Sequence, residues 1–469
     1  MSNGPRKQTK AITAYLAISA SLVSFSSLEF MLVEIQSDFS MSPDETIVVA
    51  QIASAACLMA VFLAGALSDR LGTRRMLVGS SLLFGVGSAC VGLALNITML
   101  VIGLSIAGVG TIVMSIVGLA VINATFVETA QRARAFGVFA LVAPVVSILV
   151  PFVASAIIPI SSWRWVTGLW ITIAGVTAVA SSRSLRSDER SFLALRSELL
   201  TPALAGIALS AIALAFSFIS VSGQVAERLH HGLLSAGIGL AAIVALVITM
   251  RRLEDPTLDL RSLRTPGSFP ILTALFVVNG VNLFFFTYLL LQYRYHQTLF
   301  QTAVSLVLPQ VAASIGAVVS GHLSATLGPR RVATTSLVLA AIGSTGAFAL
   351  GPESSVWLPV IVLSIAAIPI AASVGPMTQL FMDRAPANGT GAASSIRNAS
   401  VNLGIAIAGL ITGTIVFDEL DRDTERTIEA YTQQADAFHI AGALCVLAYL
   451  IAAVLVQFHA RRRVAVVVS

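Results

Sequence analysis

The sequence predicts an all-α integral membrane protein, and three observations carry that prediction. The 469 residues are 56% hydrophobic and only 11% charged, with a mean hydropathy of +0.89; a soluble domain carries about 25% charged residues. Fourteen apolar runs are long enough to cross a bilayer, which takes about 20 residues for roughly 30 Å of hydrocarbon. The runs are too long and too rich in Leu and Ala for barrel strands, so helices, which satisfy their own backbone polar groups, are what they form.

In chain order the first run, 11–33, follows Arg6, Lys7 and Lys10. Its charge suits a signal peptide, but Glu29 and Glu34 stand where a small-residue cleavage site would fall, so it is expected to be retained. The second run, 45–68, leads into GALSDRLGTRR at 65–75; the tenth, 299–323, leads into GHLSATLGPRR at 321–331. Seven of the eleven positions match, including both Gly and both Arg, with starts 256 residues apart. A duplicated half explains this better than two unrelated basic loops do, and parallel repeats are one way transporters are built. Gly65 and Gly72, like Gly321 and Gly328, suit close backbone approach and a sharp reversal.

Between these copies lie the runs 76–96, 98–122, 133–158, 164–182, 201–221, 232–250 and 268–292. Trp163 and Trp165, at the head of the sixth, are expected to anchor the outer interface. The ninth contains VNGVNLFFFTYLLLQY, where Asn279, Asn282 and Phe286 recur at helical spacing and so share one face. That face lines a substrate cavity or supplies interhelical hydrogen bonds with Phe toward lipid, and the same two readings apply to Gln310 in the tenth run. The remaining runs are 331–350, 355–377, 393–417 and 437–459.

Basic residues collect on the cytoplasmic side of membrane proteins. With both termini inside, the inner segments hold Arg70, Arg74, Arg75, Arg132, Arg330, Arg331 and most other basic residues. The outer ones hold only Arg164, Arg228, Arg294, Arg422 and Arg426, and Arg397 starts the thirteenth run. The net charge of +5 thus reflects topology and no nucleic-acid partner is expected, since no basic stripe interleaves with aromatics. Cys57, Cys90 and Cys445 all lie in apolar runs and the six His are scattered, so neither a metal site nor a catalytic cluster is expected, and no cofactor.

The run GALSDRLGTRR resembles the loop signature of the major facilitator superfamily, and GHLSATLGPRR its weaker second-half echo. The echo comes eight runs later instead of six, so two helices, 201–221 and 232–250, are read as inserted, as in the fourteen-helix drug:proton antiporter branch. SSWRWV at 161–166, RRLEDPTLDLRSLRTPGSF at 251–269 and AASSIRNASVNLGIAIAG at 392–409 agree with that resemblance. It implies a major-facilitator-type fold with a six-helix bundle at 1–182, a linker with two inserted helices at 183–266 and a second bundle at 267–469. It also implies rocking of the bundles about a central cavity, with Asp69 as part of a latch in the outward-facing state. The neighbours on offer are Arg70, and Glu128 with Arg132 at i,i+4; the alternative is a solvated loop acid balancing Arg70, and Ala325 holds the Asp position of the second copy.

A proton-driven exporter needs a membrane group that gains and loses a proton, and Glu29 is the one clear candidate. It lies about 18 residues into its helix, or roughly 27 Å, with Ser21 and Phe25 on the same face as a cavity lining. The alternative is an acid that reaches the outer interface. The family signatures depart here at three places. The first-run Asp would stand near Ser24 or Phe25; the fourth-run Arg and Gln positions are Leu104 and Ala107; and the fifth-run glycines are Ala154 and Ser155 after the retained Pro151. With one deep carboxylate, a monovalent cation or neutral lipophile is the expected cargo.

These readings describe an expected monomeric, multi-pass protein of the lipid bilayer of a plasma membrane, a bacterial inner membrane. It is expected to export small amphipathic organic compounds such as drugs, antibiotics or metabolites in exchange for protons. An uncoupled facilitator or importer is the second reading, and a receptor or enzyme would need a soluble domain or a catalytic set that the sequence does not offer.

Overall fold

The computed structural model describes residues 4–41, 43–158, 161–185, 199–220, 225–252, 267–281, 283–351, 353–385, 389–416 and 428–464. Within them each predicted apolar run is built from helix. The first eight are α1 (Gly4–Asp38), α2 (Pro43–Leu71), α3 (Thr73–Gly92), α4 (Ile97–Thr125), α5 (Thr129–Ile157), α6 (Arg164–Ser184), α7 (Leu200–Ser220) and α8 (Val225–Arg252). Then follow α9 (Ser268–Asn279), α10 (Leu283–Tyr293), α11 (Leu299–Ser305), α12 (Val307–Leu327) and α13 (Pro329–Ser344), the last extended by a 3₁₀ turn at Thr345–Ala349. The chain closes with α14 (Trp357–Met382), α15 (Thr390–Val416) and α16 (Ile428–Val464).

Eleven helices among the described residues are long and apolar enough to span a membrane. The other three predicted runs are helical but fall short in different ways. The run at 201–221 contributes α7, whose described apolar stretch is Leu200–Phe216. The run at 268–292 is broken, and α15 begins with the polar stretch TGAASSIRNAS. The break corrects the reading of one continuous helical face. Gly280 ends α9, its N–H bonding the carbonyls of Phe276 and Val277, and α10 starts only at Leu283. The tenth run bends as well, between α11 and α12 at Leu306, where Pro309 three residues on has no N–H to bond the preceding turn.

The two repeated runs have the same backbone. Gly72 joins α2 to α3 at φ 84°, ψ 149°, and Gly328 joins α12 to α13 at φ 86°, ψ 145°. Side chains essentially never adopt that region, so each second glycine is required by the turn. Packing repeats around these turns: α3 lies against α4 and α6, and α13 against α14 and α16. One apolar core is drawn mainly from α1–α6, with Phe84, Trp170 and Met114, and another mainly from α9–α16, with Phe381, Tyr449 and Leu337. Phe62 and Phe139 pack against both. A third, small cluster of Ala140, Ala312, Ala313, Ala317, Ala367 and Ala371 lies where α5 meets α12 and α14. In lipid, where apolar burial offers helices little preference for one another, such small residues let backbones approach. The α7 helix packs on α8, α2 and α15.

At the end away from the repeated turns, Trp163 stands just before α6. It is buried, its Nε1–H donating to the Asp38 carboxylate at 3.0 Å, while Trp165 is exposed. Arg164 pairs with the same carboxylate and stacks over the Trp163 ring at 4.5 Å. The Arg164 hydrogen bond is the chief reason that the Asp38 carboxyl sits below its ordinary range. A carboxyl with a depressed folded pKa stabilises above its unfolded value, about 3.9, and that contribution is lost as pH falls through the folded value. Thermal stability of the purified protein should therefore drop below about pH 4, and less steeply in Asp38→Asn.

The turn geometry sets a second expectation. Gly72→Ala and Gly328→Ala should each cost about 1–3 kcal/mol, read as a lower midpoint of thermal unfolding in detergent. Gly79→Ala, whose added Cβ meets nothing within 4 Å on α3, should leave the midpoint level or raise it.

Candidate functional site

Polar contacts bridge the seam between the two helix groups at the end carrying the repeated turns. Asp69, in the last turn of α2, faces the first turn of α15. Its Oδ1 accepts the Gly391 N–H at 2.8 Å and its Oδ2 the Ala392 N–H at 2.9 Å. The first amides of a helix have no partner within it and carry the positive end of its dipole, so a carboxylate seated there satisfies both. One turn back along α2, Gly65 makes the approach possible: a Cβ there would collide with Ser395 Oγ and lie 2.5 Å from the Gly391 carbonyl. One turn further, the Val61 carbonyl accepts the Ser395 hydroxyl at 2.6 Å. Val61, Gly65 and Asp69 thus form a stripe at i,i+4 spacing that is matched to α15.

The other expected latch residues are arranged differently from the sequence reading. Arg132, in the first turn of α5, does not pair with Glu128. It reaches across the seam to Asp383 just beyond α14, with Nη1 to Oδ1 at 2.6 Å, while its Nε–H donates to the Phe126 carbonyl at 2.7 Å. Glu128 is exposed at the start of α5 and makes no side-chain cap. Asn123 on α4 adds a third link, donating to the Met382 carbonyl at 3.4 Å. Arg74 and Arg75 occupy the first turn of α3, following Gly72, and Arg70 stands beside Asp69 at the end of α2. Asp383 was not singled out from sequence; the only available signal was the Asp-Arg pair ending an apolar run, in MDRAPANG.

The first glycine of the second repeat works as Gly65 does. Gly321 on α12 lies against Gly137 on α5, where a Cβ at Gly137 would stand 2.6 Å from the Gly321 Cα. Gly375 on α14 meets the same helix, 2.7 Å from the Phe136 carbonyl by the same measure.

The residues expected to line a cavity are spread out. Glu29 lies in α1, and its side chain, like Asn282, falls outside the described residues. Ser21 is half-buried and Phe25 is exposed. Asn279 gives its amide N–H to the Leu275 carbonyl of its own helix at 2.7 Å, and Phe286 is buried in the second core. The break at Gly280 separates these two, so they do not continue one face. Gln310 is half-buried on α12, and Pro151 is buried within α5 beside Phe152, whose ring meets Phe300 edge-on at 6.3 Å. Among the described residues no group of His, Cys, Asp and Glu could hold a metal ion.

The seam contacts predict how closure at this end responds to charge. Asp69→Asn should weaken it by about 1 kcal/mol, a roughly fivefold gain in the open population. Arg132→Asp should cost about 0.5–1 kcal/mol for this partly exposed pair, and the double exchange Arg132→Asp with Asp383→Arg should restore it. Distances between spin labels at Gln131 and Thr326, both exposed at this end, would report each change.

A family profile described as Major Facilitator Superfamily matches residues 14–409. The chain is 27% identical over 397 residues to the "Multidrug resistance protein Stp" of Mycobacterium tuberculosis, covering 81% of this chain and 70% of that protein. It is 24% identical over 360 residues to the "Methylenomycin A resistance protein" of Bacillus subtilis, 75% of each. Its fold matches the crystal structure of a bacterial homologue of the iron transporter ferroportin at a TM-score of 0.66 and 13% identity, over 97% of this chain and 100% of that one. With eleven apolar helices of spanning length and a profile match along most of its length, this multi-pass chain belongs to the Major Facilitator Superfamily, a family of transporters.

Proposed function

We propose that the protein is a secondary active exporter of amphipathic organic compounds, working by alternating access and driven by proton antiport. The observation that carries this reading is the cross-seam closure at one end, with Asp69 on the α15 amides and Arg132 on Asp383. Contacts that are polar, few and confined to one end can be broken and remade as two packed bodies rock, without unfolding either. The resistance named for two relatives supports drugs or antibiotics as cargo.

In this proposal fourteen helices span a bacterial plasma membrane with both termini in the cytoplasm, and the protein works as a monomer. The bundles are 1–182 and 267–469, and 183–266 carries the inserted pair. Glu29 carries the proton, and Ser21, Phe25, Asn279, Asn282, Phe286 and Gln310 contribute to the substrate path. Pro151 serves helix packing.

One observation favours the second reading, an uncoupled facilitator. At the positions where the family resemblance would put an Arg and a Gln, Leu104 and Ala107 are buried on α4. A Cβ on Gly87 of α3 would collide with the Ala107 backbone, so this face is packed dry against its neighbour. The deciding experiment uses inside-acid vesicles holding the protein and a pH-sensitive dye, with lipophilic cations and antibiotics added one at a time. Proton antiport predicts that a substrate collapses the gradient with the parent protein and not with Glu29→Gln. Equilibration of labelled substrate with no proton movement in either would replace it with the facilitator.

A further inference from the structure

Arg397 lies on α15 seven residues beyond Thr390, about 10 Å along the helix from the Asp69 contact. Its surroundings come from both helix groups. The guanidinium carbon stands 5.3 Å from the centroid of Phe139 on α5, and Nη2 is 3.4 Å from Thr378 Oγ1 on α14. The residue is 8% exposed, and its Nε has no hydrogen-bond partner. A guanidinium has five N–H donors and is always charged. Among the described residues, one long hydrogen bond and one ring answer it.

No carboxylate among the described residues pairs with Arg397. Of the described acids at this end of the seam, Asp69 is engaged by the α15 amides and Asp383 by Arg132, and Glu128 is exposed at the start of α5. The next residue of α14, Gln379, is fully buried, and neither its Oε1 nor its Nε2 has a partner. Buried polar atoms are nearly always satisfied, and an intramembrane cation is costly unless something answers its charge. A residue wanted for packing alone would be apolar here, since replacing buried charge by apolar groups is often neutral or stabilising. Because no described acid answers that charge, the seam offers a place for an anion brought by a ligand.

We infer that Arg397 is the anchor of a binding site for an acidic group, a carboxylate, sulfonate or phosphate carried on an aromatic or otherwise apolar body. The planar fork of donors matches two oxygens of such a group, and the Phe139 ring offers the apolar body a face. Parting of the two helix groups uncovers the site, because its walls belong to both. The inference rests on the export reading and names its substrate class. It reverses the sign expected from counting carboxylates, which pointed to a cation or a neutral lipophile.

The full chain, reconstituted in phosphatidylcholine vesicles free of anionic headgroups, provides the test. Two probes of matched size carry permanent charge of opposite sign, naphthalene-2-sulfonate and 2-naphthyltrimethylammonium. Each is measured by counterflow, uptake of labelled probe into vesicles preloaded with the same compound, which needs no proton gradient. The expected result is counterflow of the sulfonate at least tenfold faster than that of the ammonium, reduced tenfold or more in Arg397→Gln and partly kept in Arg397→Lys. The sulfonate should also raise the unfolding midpoint of the parent and the Lys variant but not of the Gln variant. If the ammonium moves and the sulfonate does not, the export reading stands and the anion site is overturned. Unchanged sulfonate counterflow in Arg397→Gln overturns it equally. If neither probe moves but the sulfonate stabilises the parent and not the Gln variant, the site stands and the export reading falls. Loss of all counterflow in both variants, with no stabilisation of the parent by sulfonate, would assign Arg397 to structure alone.

Discussion

Two helices cannot approach with backbones in contact unless the groups along the line of contact are either absent or mutually satisfied. On α2 the first condition is met by Gly65 and the second by Asp69, four residues on, whose carboxylate takes up two free amides of α15. The rest of the closed end depends on this pairing. It fixes the rotation of α15, which sets Ser395 on the Val61 carbonyl and carries Arg397 into the seam beside Phe139. A carboxylate on a helix terminus is also a contact that separates cleanly, since water can replace either side of it.

Comparison of the two repeated runs divides their residues by task. The second glycine of each, Gly72 and Gly328, makes the turn at nearly identical dihedrals. The first, Gly65 and Gly321, faces the opposite helix group, one against α15 and the other against Gly137 of α5. The charged pair differs, with Asp69 and Arg70 replaced by Ala325 and Thr326 in the second copy. The duplicated sequence thus keeps what the backbone needs in both halves and varies the charge.

Much of this was legible from sequence because it depends on length and periodicity. Apolar runs of spanning length become helices whatever surrounds them, and a Gly-to-Gly spacing kept twice marks a turn used twice. The break at Gly280 was hidden inside a run of uniform hydropathy, since the Gly404 backbone that presses on Phe276 and Asn279 there comes from a distant segment. Arg132 was expected beside Glu128, because i,i+4 spacing favours that pair, while the partner it has, Asp383, lies 251 positions away. Arg397 could be seen as a charge at the edge of an apolar run. That no described carboxylate pairs with it follows only from the packing of α5, α14 and α15.

The substitution of Ala325 leaves the two sides of the seam held by different physics. On the α2–α15 side the lock is a carboxylate held by two amides whose positions the helix fixes, so little side-chain freedom is lost when it forms. On the α5–α14 side the lock is Arg132 with Asp383, side chains 18% and 29% exposed, at the ends of two elements. A pair of that kind is screened by salt and ordered at an entropic cost, so it holds less firmly than the cap. Between the two lies a wall of alanines and glycines along α5, α12 and α14 that offers close fit but no directional bond. Such a surface strands no polar groups in a small rotation, so under the proposed alternating access the weaker Arg132–Asp383 edge is the one that parts first. On that proposal, the charge asymmetry of the repeat gives a nearly symmetric pair of bundles a direction in which to open.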